Sequence, residues 1–421
     1  MALTLTTADA VLKEDYKGPV TEALNQSFMI LSQIESNSDD VQGRRAVHPI
    51  HVTRNSGVGA RVSGGALPSA GNQGYVDTYV PLRRNYGRIQ LNGDVIAGMK
   101  ADRGSFLRAV DGEMKGVTND LKRDVNRQVW GTSDGVIATC GTTSNSTTVV
   151  LATTTTATQL RQLGSDDGGI VIDIGTVASP QTIASARTIT SIDTSAKTIV
   201  ISGAAVTTSS SHRIFRASAG GATDNSGGNA DGQAELTGLQ TIVSSGGYLH
   251  AVTGATYPAW NASVYDNSGT NRAVSETLVN KAIQDVEVKS GDKVDLLATS
   301  TGVHQAVAAL LSSMRRNVDN VALKAGYSGI AWSSPGEFRE GSRTRALVWD
   351  RDCPENRIFG LCTGELVQYY ASDWDWMDQD GAVLSRVSGY DAYEATLFKY
   401  HELAARKRNC HFVIKDLTAA S

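Results

Sequence analysis

The stretch SFLRAVDGEMKGVTNDLKRDVNRQV, residues 105–129, carries the clearest pattern in the chain. Phe106, Val110, Met114, Val117, Leu121 and Val125 recur at steps of 4, 4, 3, 4 and 4, close to the helical period. Ser105 is placed to cap the first turn. Arg108, Asp111, Glu113, Lys115, Asp120, Lys122 and Arg123 fall on the opposite face. The spacing predicts one helix of about 25 residues, roughly 37 Å long at 1.5 Å per residue. Its apolar stripe is narrow for that length. It is therefore expected to lie across a surface rather than inside a core.

Upstream, residues 44–95 read differently. Gly57, Gly59, Gly64, Gly65, Gly71 and Gly74 occur there with Pro49, Pro68 and Pro81. Strand-like Tyr75–Val80 and Gly87–Leu91 flank a turn, which suggests a long β-hairpin with a glycine-rich tip. It holds too few apolar residues for a core of its own, and a two-stranded ribbon is marginal in water. It is expected to pack on something else, plausibly another subunit. Its charge is lopsided: Arg44, Arg45, Arg54, Arg61, Arg83, Arg84 and Arg88 against Asp77 and Asp94. Residues 1–43 are the opposite, with Lys13 and Lys17 against seven acids from Asp9 to Asp40. Such complementarity suggests contacts between copies. Two solvated surfaces explain the charges equally well, since exposed pairs contribute little.

Downstream, Ser, Thr, Gly and Ala supply 53 of the 90 residues from Gly141 to Ala230. Ile170–Gly175 is a short buried-strand pattern. Thr188–Ile192 and Thr198–Ile201 flank Asp193–Lys197, a hairpin signal. Branched Thr and Ile pack well on a pleat. Residues 140–235 are read as a compact antiparallel β insert, with Ala217–Gly232 as a long flexible loop. Two shorter helices follow, Val274–Gln284 and Gly302–Met314, the second ending at Arg315 and Arg316 in favourable relation to the helix dipole.

The 421 residues are 40% hydrophobic, only 19% charged, and include 42 glycines. The net charge of −4 gives no basic field for nucleic acid. No run reaches the roughly 18 apolar residues of a spanning helix, and the start lacks a signal-peptide pattern. Cys140, Cys353, Cys362 and Cys410 form no CxxC pair and suit a reducing compartment.

Motifs that carry chemistry are scarce. No phosphate-binding loop, no dinucleotide fingerprint, no HExxH and no G-x-S-x-G is read. His48 and His51 flank Pro49 in an extended segment without a further ligand nearby. Asp373, Asp375, Asp378 and Asp380 fail the calcium-loop order. Trp374 and Trp376 alternate with these acids, so a strand burying one face is the better reading. Glu402 beside His401, and Arg406-Lys407-Arg408, read as a solvated strand end and turn. The seven histidines show no partner pattern for nucleophilic catalysis. No catalytic, cofactor or metal residues are assigned, and the chain reads as a structural part, not an enzyme.

The order of parts is informative: acidic arm, arginine-bearing ribbon, very long helix, β insert, then a βα-rich half. It resembles the major capsid protein of tailed double-stranded DNA phages, with the Hong Kong 97-type α+β fold. Thr237–Val243 and Tyr257–Ala262 look like that family's return to its P-domain. Asp295–Thr299 is similar to the strand opening its A-domain. Leu347–Asp350, Cys353–Asn356 and Ile358–Leu361 look like late A-domain strands around a turn.

The resemblance implies an N-arm over 1–43, an E-loop over 44–95 and a P-domain with spine helix over 96–139. It then implies an insertion domain over 140–235, P-domain again over 236–290, A-domain over 291–385, and P-domain and C-terminal strands over 386–421. It implies self-assembly as hexamers and pentamers into an icosahedral head that encloses double-stranded DNA without sequence-specific binding. Assembly is expected in the host bacterial cytoplasm, away from membranes, with a portal protein and a decoration protein as further partners. With about 43 residues before the E-loop, no cleaved scaffolding segment is expected, so a separate scaffolding protein, or none, is implied. Arg54, Arg61, Arg83, Arg84, Arg88, Asp373, Asp375 and Asp378 are the candidate inter-subunit contacts. Residues 44–95 contain no lysine, so the E-loop lysine cross-link of some members is not expected. The insert is expected to stabilise capsomers, or to serve as a decoration or host-contact surface. An encapsulin-type compartment and a β-rich phage tail protein are the rival readings.

Overall fold

The computed structural model describes residues 29–43, 45–93, 103–165, 169–219, 234–313, 320–322, 328–334, 343–378, 381 and 383–420. The long helix runs over Arg103–Val129, 27 residues. Met114, Leu121 and Val125 of the periodic stripe are buried, while Glu113, Lys115, Asp120 and Arg123 are exposed. Its last turn differs from a surface helix: Arg127, Gln128, Val129 and Trp130 are all buried.

The stripe lies on a five-stranded sheet. Ala392–Ala405 is central and pairs antiparallel with Leu366–Trp376 on one side and Arg83–Asn92 on the other. Glu35–Asn37 and Ser385–Arg386 complete it. At Gly87 the helix comes so close that a Cβ would meet Val117 Cγ1 at 2.6 Å. A side chain there would push the helix off the sheet.

The hairpin expected between Tyr75–Val80 and Gly87–Leu91 does not form. Gly74–Pro81 pairs antiparallel with Arg45–Thr53 instead, from Arg45 opposite Pro81 to Thr53 opposite Gly74. Only Leu82 separates Gly74–Pro81 from Arg83–Asn92, and one residue cannot reverse a chain between paired strands. The chain therefore runs straight from the ribbon into the five-stranded sheet. Residues 54–73 form the glycine-rich tip.

A second, seven-stranded sheet has the order Ser263–Tyr265, Phe412–Ile414, Ile358–Leu361, Leu296–Thr299, Arg343–Trp349, Ser328–Ser334, Asn320–Ala322. Helices Glu276–Ser290 and Thr301–Ser313 bury Val279, Ile283, Val286, Val303 and Val307 against it. Ser275 caps the first through Leu278 N. Gly291, at φ +76°, ends it in the left-handed conformation that glycine adopts without strain. Two segments lie in other sheets than the division by sequence groups them. Leu366–Trp376 joins the five-stranded sheet, and Phe412–Ile414 the seven-stranded one.

The insert has its own core, built from Ile137, Val149, Leu160, Ile172, Ile174, Ile199 and Ile214 among others. Its six-stranded sheet has the order Val136–Thr139, Arg213–Arg216, Val171–Thr176, Ser179–Asp193, Thr198–Ile201, Thr148–Val150. Every pairing in it is antiparallel. At the expected hairpin, Asp193 Oδ1 accepts from Ser195 N and Ala196 N and so closes the turn. Buried Asp173 accepts from Ala186 N, Gln181 Nε2 and Ser218 N, which holds two irregular loops against the sheet. The loop expected over Ala217–Gly232 lies mostly outside the described residues.

Candidate assembly surface

The ribbon is anchored at its base and open along its length. Ala46, Val80 and Leu82 pack with Val367, Tyr369 and Ala404 of the five-stranded sheet. Opposite residues share a face of a pleated pair, so Val47 with Tyr79 and His51 with Tyr75 form the ribbon's other face. Val47 is 45% and Tyr75 67% exposed. The rings of His51 and Tyr75 lie 5.2 Å apart, and the Arg45 guanidinium lies 4.4 Å above Tyr79. His48 and His51, three apart on a strand, point to opposite faces and cannot share a metal.

At the tip Val58, Val62 and Leu67 are 83%, 81% and 87% exposed. The tip is nonetheless ordered by its own polar groups. Asn55 Nδ2 donates to Gly71 O at 2.8 Å, and Gly57 N donates to Asn55 Oδ1 at 2.7 Å. Arg61 donates to Ala60 O and Ala66 O. The shaped loop thus shows three large aliphatic side chains to water.

The structure separates the candidate contacts. Arg54, Arg61, Arg84 and Arg88 are exposed; Arg88 also pairs with Glu394 at 2.6 Å. Arg83 is a correction. It is 3% exposed and donates to Glu402 at 3.0 Å, so its charge is consumed within the chain. Asp373 is paired with buried Lys399 at 2.9 Å. Asp375 and Asp378 are half-buried. Trp374 and Trp376 are buried between the acids, as their alternation predicts. Asp380 lies outside the described residues, and so does Arg44.

The reading of His401, Glu402 and Arg408 as part of a solvated end is also overturned, while Arg406 and Lys407 stay partly exposed. His401, Glu402 and Arg408 are fully buried. Arg408 donates to Ile242 O, Thr241 O, Gly246 O and Ser244 Oγ, and so gathers the carbonyls of one turn. Burial among neutral acceptors pulls its guanidinium down to about 10.

Another buried cluster fixes the insert to the long helix. Arg127 donates to Glu235 Oε1 and Oε2 and to Asp124 Oδ1. Arg216 of the insert lies 3.8 Å from Asp124. Burial pushes Asp124 up, but Arg127 and Arg216, with hydrogen bonds from Gln128 and Arg127, outweigh it and hold the carboxyl below its usual range. A cleft of about 490 Å³ opens beside this cluster, lined by Arg123, Arg161, Arg216, Arg351, Asp120 and Asp352 among others.

The reading that no G-x-S-x-G occurs is corrected. Gly131-Thr132-Ser133-Asp134-Gly135 has the G-x-S-x-G spacing. Ser133 is buried at φ +71°. Its Oγ bonds Thr241 Oγ1 and accepts from Gly238 N. It follows a helix and precedes a strand, the reverse of a nucleophile elbow, and serves as a turn. Among the described residues no group of three His, Cys, Asp or Glu could hold a metal ion, and no helix is long and apolar enough to cross a membrane.

No family model and no curated protein matches the chain. Solved structures do. A chain of the cyanophage A-1(L) capsid asymmetric unit matches over 93% of this chain and 93% of its own, at 14% identity and a TM-score of 0.52. A chain of the capsid of a native GTA particle matches over 94% and 91%, at 10% identity and 0.44. A chain of the holo-SrpI encapsulin complex from Synechococcus elongatus PCC 7942 matches over 92% and 86%, at 8% identity and 0.44. The fold assignment rests on the first. The chain has the α+β fold of a phage major capsid protein.

Proposed function

We propose that this chain is the structural subunit of a phage head. It self-assembles as hexamers and pentamers into an icosahedral shell around double-stranded DNA. The observation that carries this reading is a fold shared, along 93% of both chains, with a phage capsid chain. The ribbon supplies the physical reason for assembly: its apolar tip is exposed in the single chain and gains burial only against a partner. Contacts of this kind, repeated by closed symmetry, add many modest free energies into one stable shell.

Within this reading residues 1–43 are the N-arm, the ribbon of 44–95 is the E-loop, and 140–235 is an insertion domain. A portal protein and a separate scaffolding protein are the partners of assembly, and a decoration protein is a further one. The chain acts as a building part, not an enzyme. Electron microscopy of the full chain, expressed in a bacterial host alone and with its genomic neighbours, tests the reading. Closed icosahedral particles are the expected result; soluble monomers overturn it. Nuclease-protected double-stranded DNA in particles from the native context separates a phage head from an encapsulin-type compartment, which would enclose protein.

A further inference from the structure

Two connections between the large sheets pass side by side. Residues 362–365 lead from Ile358–Leu361 of the seven-stranded sheet to Leu366–Trp376 of the five-stranded one. Residues 406–411 lead back, from Ala392–Ala405 to Phe412–Ile414. Arg406 N donates to Glu365 O at 2.8 Å and Cys362 N to His411 Nδ1 at 3.2 Å, which holds the two connections together. The seven-stranded sheet's strands at their ends are antiparallel neighbours, with Gly360 opposite Phe412. Carried two residues on, that register sets Cys362 against Cys410. Facing residues of an antiparallel pair have Cα atoms roughly 4.5–5.5 Å apart, inside the span that a disulfide bridges. The side chains meet as well. Cys362 Sγ donates to Lys293 O at 3.0 Å, and Cys410 Sγ to Lys407 O at 2.8 Å. A hydrogen bond with the Cys362 thiol, then burial, pushes the Cys410 thiol up. His411 Nδ1 accepts, so Nε2 carries the proton of the neutral ring and donates to Cys410 Sγ at 3.5 Å. The other two cysteines, Cys140 and Cys353, lie in two separate hydrophobic clusters.

We propose that Cys362 and Cys410 are a latent disulfide, closed by a small peroxide once the protein leaves a reducing compartment, and that it staples the two connections together. Cys362 is the attacking sulfur, because of the two it is the one with any exposure, 8% against 0%. Its thiolate attacks one peroxide oxygen. The O–O bond breaks, hydroxide leaves and takes up the thiol's proton as water, and Cys362 becomes a sulfenic acid. The Cys410 sulfur then attacks the Cys362 sulfur. The S–O bond breaks, the S–S bond forms, and the departing hydroxide takes the Cys410 proton as a second water. Two thiols and one peroxide thus give one disulfide and two waters, with sulfur oxidised and peroxide oxygen reduced. The Nε2–H of His411, aimed at Cys410 Sγ, steadies the negative sulfur in the second step. In a reducing cytoplasm both thiols stay free, as they are here. Once closed, the bridge encloses strands Leu366–Trp376 and Ala392–Ala405 in one covalent loop and so restricts the unfolded chain. It also ties the five-stranded sheet to the seven-stranded one, so the two must open together. The inference concerns a single subunit and stands apart from the shell reading.

The test uses the full-length chain, first without substitution. Chain purified under reductant is freed of it, treated with a small excess of hydrogen peroxide, denatured in iodoacetamide and cut with trypsin. Cys362 lies in peptide 358–386 and Cys410 in peptide 409–415. The expected result is a linked pair of these peptides, lighter than the two free ones together by about 2 Da and separated by reductant. It is expected to exceed any pairing that involves Cys140 or Cys353 by roughly tenfold. The oxidised chain's urea midpoint is expected about 0.5 M above that of the reduced chain, a difference that Cys410→Ser abolishes. Cys410→Ser also leaves the Cys362 sulfenic acid unresolved, so dimedone labels Cys362 in that variant and not in the native chain. Four alkylated thiols after peroxide, a native Cys362 carried on to the sulfonic acid, or a link between two copies overturns the proposal. A linked pair with an unchanged midpoint overturns the staple. If Cys410→Ser does not fold, the peptide map and midpoints of the native chain decide alone.

Discussion

Arg83 Nε donates to Glu402 Oε2 at 3.0 Å, with side chains 3% and 0% exposed. The pair joins the first strand after the ribbon to the central strand Ala392–Ala405, 319 residues away. Glu402 Oε1 also accepts from Thr237 N and Leu403 N, so one carboxylate fixes three segments. Burial pushes its pKa up; Arg83 and the two amides oppose this. Glu402→Ala removes the buried carboxylate that faces the Arg83 guanidinium. The expected loss is about 3–5 kcal/mol of unfolding free energy, read from denaturant midpoints. A loss below about 1 kcal/mol would show that the pair is solvated. The double change Arg83→Met with Glu402→Leu removes both charges and is expected to recover most of the loss.

This pair also marks where the sequence stops being readable. The helix over 105–129 and the hairpin around Asp193–Lys197 are local patterns, legible because 3.6-residue and two-residue periods are printed along the chain. Arg83, Glu402 and Arg408 look solvated in sequence because charge is usually outside. Their burial depends on partners hundreds of residues distant. The mistaken hairpin has the same cause: Tyr75–Val80 and Gly87–Leu91 are both strands, but pairing is not encoded in either. The ribbon's arginines were visible, whereas the meeting of Cys362 with Cys410 was not.

Three buried imidazoles make the fold acid-sensitive. Burial, then Arg83 and Arg408, draws His250 down to about 3 from an ordinary 6.5. Burial and Arg408 do the same to His411, also to about 3. Burial and Lys399 hold His401 well below its usual value. A lowered histidine binds fewer protons folded than unfolded, so its contribution is complete above about 6.5 and lost as pH falls toward 3. At about 1.4 kcal/mol per group per pH unit, His250 and His411 give roughly 3 kcal/mol of destabilisation between pH 7.5 and pH 5.5, and His401 acts in the same direction. The raised carboxyls of Glu235, Asp350 and Glu402 act in the opposite sense and reduce that figure. Urea midpoints that stay level from pH 7.5 to 5.5 would contradict the assignment.

Gly87 sets the distance between the long helix and the sheet. A Cβ there would lie 2.6 Å from Val117 Cγ1 and 3.5 Å from Leu121 Cδ2. Gly87→Val is expected to cost about 1–3 kcal/mol through overpacking. Val117→Ala in the same chain opens room for the added methyls and is expected to return at least half of the loss. Additive losses in the double mutant, measured by thermal unfolding, would place the clash elsewhere.

The ribbon cannot supply the lysine of a covalent link between subunits. Residues 44–95 contain no lysine, and Lys100 is the first beyond them. An isopeptide bond to an asparagine needs a primary amine, and arginine does not supply one. Purified particles are therefore expected to run as a single monomer band on denaturing gels. A ladder of cross-linked species whose junction peptide maps within the ribbon would refute this.

The insert is built to be removed whole. Its first strand pairs with its last, with Val136 opposite Phe215, so its two ends leave side by side. Its core is separate from the others, and cutting after Arg216 leaves the clamp between Arg127 and Glu235 in the remainder while removing the Arg216 contact with Asp124. A chain lacking Val136–Arg216 is expected to keep the fold of the remainder, because residues 217–234 then serve as the linker. The excised domain is expected to unfold on its own in one cooperative transition. If the insert stabilises capsomers, particles of the shortened chain lose heat resistance while the subunit's own unfolding midpoint stays put. If it is a decoration or host-contact surface, both measurements stay put and only attachment changes. Glu355 Oε1 accepts from Thr158 N and Oγ1 in part-buried contacts that set the insert against its own subunit, so a subunit midpoint that falls with the deletion would trace to these bonds.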